Sequence, residues 1–158
     1  MGSIKRFEDL HTWQEARELL KFIYRVTDPA TKFKDRSLRD QMRRAARSVM
    51  HNIAEGFDAG TDKQFIQFLG YARRSASEVQ SQLYAALDQG FITQHQFNQI
   101  YESATICKKK INGLLRYLIT KKGNIKEPEE GYSVNRNQVN RMEIPDLFMT
   151  QNDLDQLD

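Results

Sequence analysis

An all-α, antiparallel up-and-down four-helix bundle with a C-terminal extension is the fold that this 158-residue chain predicts. Three observations carry the expectation. Apolar residues recur at three- and four-residue steps through four successive stretches, and glycine, proline or a capping signal bounds each stretch. No segment alternates apolar and polar residues over enough positions to make a half-buried strand. A chain of this length makes one domain of ordinary size, which needs neither a disulfide nor a structural metal.

The first helix is expected from Asp9 to Thr27, with Leu10, Trp13, Ala16, Leu20, Ile23 and Tyr24 inward, and Asp28-Pro29 ends it. A second opens at Ser37 and runs to about Phe57, burying Leu38, Met42, Ala45, Ala46, Val49 and Ile53, with Gly56 and Gly60 at its exit. Thr61 and Gln64 form a capping box for the third, which buries Phe65, Phe68, Leu69, Ala72, Ala76, Val79, Leu83 and Leu87 and stops at Gly90. Thr93 and Gln96 repeat the device, with Ile92 and Phe97 placed as a hydrophobic staple. Helix four then carries Ile100, Tyr101, Ala104, Ile111, Leu114, Leu115 and Leu118 before Gly123. Short connections make sequential helices antiparallel neighbours. The division that follows is an N-terminal arm over 1–8, the bundle over 9–122 and an acidic tail over 123–158. The tail is either extended or carries a short segment, Ile144, Leu147 and Phe148, that docks a partner protein.

The net charge of +3 hides an asymmetry. From Lys126 onward three basic residues face eight acidic ones, a local charge of −5, which leaves +8 on the first 125 residues. A basic body favours a polyanionic partner. Helix two concentrates the charge: at about 100° per residue, Arg36, Arg39, Arg43 and Arg47 line up on the side away from the core, with Arg44 beside them. Arginine pairs bidentately with phosphate, and a row of arginines on one helix can follow a nucleic-acid backbone. Arg73 and Arg74 on helix three and Lys109 on helix four extend the patch, while Lys108 falls near the apolar side and snorkels. The competing reading is a solvated face whose charges pair with Asp35, Asp40 or neighbouring helices. Helix one has a second apolar stripe, Leu19, Phe22 and Val26, which one bundle does not need and a second subunit would cover.

Catalysis has little support in the sequence. There is no phosphate-cradling glycine loop and no nucleophile elbow, and the single cysteine, Cys107, reads as core packing. Glu8 and His11 match half of a di-iron carboxylate pattern, but no second copy follows. No cofactor and no metal are expected, no apolar run reaches the roughly 20 residues of a membrane span, and a cytoplasmic location fits best.

Three segments share a further likeness: FEDLHTWQEARELLKFIY (Phe7 to Tyr24), QMRRAARSVMHNIAEG (Gln41 to Gly56) and FIQFLGYARRSASE (Phe65 to Glu78). In this order and spacing the chain resembles the four-helix-bundle proteins encoded within intervening sequences of bacterial 23S ribosomal RNA genes. The same family includes the accessory variability determinant of diversity-generating retroelements. The resemblance implies a homopentamer with a basic surface that engages RNA or DNA, partnered in that relative by a reverse transcriptase. Arg43 and Arg44 match the paired arginines of the family, and Asn52, Glu55 and Gly56 match its second-helix ending, where a structural role is implied. Arg47 and Arg74 depart from the small or apolar residues expected there, and the acidic tail has no counterpart in short members. The leading expectation is therefore a non-enzymatic, oligomeric nucleic-acid-binding accessory protein. The alternative is a protein-interaction scaffold that works through its tail.

Overall fold

The computed structural model describes residues 4–123. A short 3-10 turn, Phe7–Asp9, precedes four helices: α1 (His11–Val26), α2 (Arg36–Asp58), α3 (Asp62–Asp88) and α4 (Gln94–Gly123). Each helix packs on the next and α4 closes against α1, the ring of contacts of an up-and-down bundle. Phe33 in the first connection lies against Phe91 in the third, with ring centroids 5.0 Å apart, so both connections share one end of the bundle. The tail segment with Ile144, Leu147 and Phe148 lies outside the described residues.

Local chemistry accounts for the helix boundaries. Asp35 caps α2 by accepting from the Leu38 N–H at 2.9 Å, which starts the helix one residue before the expected Ser37. At α3 the Thr61 hydroxyl accepts from the Gln64 N–H and donates to Gln64 Oε1. At α4 the box is reciprocal, with Gln96 Oε1 accepting from the Thr93 N–H and Thr93 Oγ1 accepting from the Gln96 N–H. Gly60 and Gly90 carry positive φ, 82° and 69°, and turn the chain after α2 and α3.

Two expectations change. Residues 4–8, set apart as an arm, belong to the bundle, because Ile4 is buried in the core and the 3-10 turn packs on α1 and α2. The inner face of α1 is also rotated. Thr12, Ala16, Leu19, Ile23 and Val26 are buried, whereas Trp13 and Leu20 are half-buried and Tyr24 is 40% exposed. Leu19 and Val26 thus fill this chain's own core and cannot form an outward subunit contact, and Phe22 packs at the core's edge. The buried set keeps the alternating four- and three-residue spacing of a packing seam along the whole helix, which the expected set does not. A polar Thr12 inside that seam disguises it.

Cys107 is fully buried among the α4 core residues. Burial pushes its thiol pKa up, the Glu15 carboxylate adds to the rise, and Lys110 opposes it.

Gly56 sits inside α2 rather than at its exit, and it sets how closely α2 and α3 approach. A Cβ there would meet Phe65 Cδ2 at 2.7 Å and Phe68 Cβ at 2.8 Å. Gly56→Ala is expected to lower stability by about 1–3 kcal/mol through overpacking, as read from urea unfolding. Gly70→Ala, whose Cβ meets nothing within 4 Å, is the control and should stabilise or be neutral.

Candidate nucleic-acid interface

The eight basic residues singled out in the sequence do not form one row. They divide by the elements that hold them. Arg43 is half-buried between α1 and α2: its Nε donates to Thr27 Oγ1 at 2.8 Å and an NH2 donates to the Thr27 carbonyl at 2.7 Å. The same guanidinium lies 4.6 Å from the centroid of the Tyr24 ring. Thr27 is the C-cap of α1 and is fully buried, and its hydroxyl donates to the Ile23 carbonyl. Arg43 therefore fills the carbonyl end of α1 with a cation, where the open acceptors and the negative end of the helix dipole both favour one. It is a structural clamp and is withdrawn from the outer surface.

Arg39 is also turned inward. Its side chain is 15% exposed, with Nε 3.7 Å from Asp40 Oδ1, so the pairing with Asp40 weighed against the arginine row holds at this position. Asp35 is instead occupied as the α2 cap.

Arg36, Arg44, Arg47, Arg73, Arg74 and Lys109 are exposed, and none forms an ion pair among the described residues. Arg74 lies over the Tyr71 ring at 5.0 Å. Arg73 reaches from α3 to α4, donating to Asn112 Oδ1 at 3.2 Å. By helical position Arg44 and Arg47 stand on the outer side of α2, Arg74 on that of α3 and Lys109 on that of α4. The basic surface wraps around three helices, with free cations distributed over it. Such a surface can neutralise several phosphates of a polyanion without reading its sequence.

Sequence reasoning missed the amides that organise this side of the bundle. Gln80, 8% exposed, donates to Thr105 Oγ1 at 2.9 Å and accepts from Lys108 Nζ at 3.1 Å. Gln80 falls next to the apolar face of α3, a position that flags a buried polar residue needing partners. Among the described residues, no three His, Cys, Asp or Glu side chains gather as a metal site, and no helix is long and apolar enough to cross a membrane.

The 23S rRNA-intervening sequence protein family matches residues 8–113 of the chain. A crystal structure of a protein with unknown function from the S23 ribosomal protein family, from Bacteroides thetaiotaomicron, superposes with a TM-score of 0.62. The two are 21% identical, and the likeness covers 66% of this chain and 95% of that one, which is a likeness of fold. No curated protein matches the chain.

The clamp and the free surface separate by mutation. Arg43→Ala leaves the buried Thr27 hydroxyl and carbonyl without their donor and is expected to lose about 1–3 kcal/mol in urea unfolding. Arg44→Ala, one position on and exposed, should stay within about 0.5 kcal/mol of the parent.

Proposed function

The chain belongs to the 23S rRNA-intervening sequence protein family, and on that premise we propose that it is a non-enzymatic, oligomeric nucleic-acid-binding protein. The family name associates its members with a ribosomal RNA gene, which fits a small protein that works alongside nucleic acid. The observation that carries the reading is the set of exposed cations, Arg36, Arg44, Arg47, Arg73, Arg74 and Lys109, left without carboxylate partners among the described residues. These residues take phosphates with little base discrimination. Arg39 and Arg43, expected in the same set, serve the fold instead. An accessory role beside a nucleic-acid enzyme, such as a reverse transcriptase, is the form of action proposed.

For assembly, the apolar margin left outside on α1 supports a contact between copies. Trp13 and Leu20 are half-buried, Tyr24 is exposed, and Arg17 lies over the Trp13 ring at 5.8 Å. This margin replaces Leu19 and Val26 as the proposed interface, and a closed ring, with five copies as the family resemblance implies, would repeat it around one axis.

If phosphates are contacted, log affinity for duplex RNA or DNA should fall linearly with log salt. Reversing Arg44, Arg47 and Arg74 to Glu together should weaken binding and lower the magnitude of that slope by about three, as fluorescence anisotropy over a salt series would show. An unchanged slope would reject this surface. For the assembly, light scattering should give a multiple of the chain mass for the parent protein and the single-chain mass for Leu20→Lys. A parent already at single-chain mass would end the oligomer reading.

A further inference from the structure

The seam between α3 and α4 holds its cations in an unusual way. Lys108 donates to the amide oxygen of Gln80 at 3.1 Å, and Arg73 donates to the amide oxygen of Asn112 at 3.2 Å. Gln80 is itself anchored, its amide nitrogen donating to Thr105 Oγ1 at 2.9 Å. An amide oxygen positions a cation and leaves its charge intact, whereas a carboxylate positions it and cancels it. The other flank of α4 shows the second arrangement, with Lys110 3.6 Å from the Glu15 carboxylate of α1. The same helix therefore neutralises its lysine toward α1 and keeps its lysine toward α3 charged.

An aromatic ring stands at one end of this seam. Tyr84 is 52% exposed and is braced edge-on by two rings of α4, Phe97 at 4.9 Å and Tyr101 at 6.0 Å. The pairs Tyr84 with Tyr101, Gln80 with Thr105 and Arg73 with Asn112 follow one antiparallel register. Tyr84 and Arg73 are thus about 16 Å apart along α3, with Lys108 between them. Exposed Lys109 and Arg116 border the same stretch on α4.

We infer that the α3/α4 seam is a track for an unpaired strand of RNA or DNA, with a base stacked on Tyr84 and phosphates on Lys108 and Arg73. The inference rests on the nucleic-acid reading above and adds the class of substrate. A duplex hides the faces of its bases in its own stack, so a braced, half-exposed ring beside uncancelled cations serves only a strand whose bases are free. Its reach, about 16 Å, accommodates a few nucleotides rather than a helical turn of duplex, which is about 34 Å.

Fluorescence anisotropy of the full chain tests this, with labelled oligouridine and oligothymidine of about 12 nucleotides and a duplex of the same length as probes. Tyr84→Ala should weaken binding of both single strands by about tenfold and leave the duplex within about twofold. Tyr84→Phe keeps the ring and should keep the parent affinity, which separates stacking from loss of fold. Lys108→Gln with Arg73→Gln should lower the magnitude of the single-strand salt slope by about two. If the parent binds duplex and Tyr84→Ala changes nothing, or costs both probe types equally, the seam proposal is overturned and the broader reading stands. If the parent binds no probe, both fall.

Discussion

A helix end hidden from water must find donors for its last carbonyls, and in this bundle that requirement falls on the C-terminus of α1. Thr27 is fully buried there, and the guanidinium of Arg43 reaches it from α2 with two hydrogen bonds while covering Tyr24. The contact fixes where α1 stops against the second turn of α2, and so which face of α1 turns inward. Once that is set, the seam of Thr12, Ala16, Leu19, Ile23 and Val26 closes against α2 and α4, and Trp13 and Leu20 are left at the margin. A residue that reads as surface charge in the sequence thus governs the packing of the first hairpin.

Three of the four helices are legible in the sequence because their apolar spacing, capping threonines and turn glycines agree with one another. The buried residues of α2, α3 and α4 are largely those that periodicity selects, and the α4 capping box forms as its spacing requires. α1 was misread for two physical reasons. Its apolar residues cover more than half the helix circumference, so periodicity alone admits two rotations, and the true seam includes a polar residue, Thr12, that hydropathy excludes. The arginine row fails differently. Angular position on one helix shows which way a side chain leaves its own backbone, but it carries no information about a neighbouring helix end waiting for a donor. Arg39 and Arg43 were therefore placed correctly on the helix and wrongly in solvent. The partners of Lys108 and Arg73 are distant in sequence, and no local pattern announces them.

The charges of this protein consequently do three kinds of work. Arg43 completes a helix and Lys110 pairs with a carboxylate between α1 and α4. Arg44, Arg47, Arg74 and Lys109 stand in solvent around the middle of the bundle, where high dielectric weakens attraction to any one anion but lets many act together on a chain of phosphates. Lys108 and Arg73 occupy an intermediate state, held in place by neutral groups and half withdrawn into a seam. The small net charge of +3 conceals this division, because the total says nothing about which cations are already spoken for.

Cys107, the only thiol in the chain, lies at the centre of α4 beneath a full layer of side chains, in an environment that keeps it protonated. A sulfur so placed cannot meet its counterpart on another copy while both remain folded. Copies of this protein can join only through reversible contacts, and an oxidising medium leaves no covalent record of which subunits were neighbours.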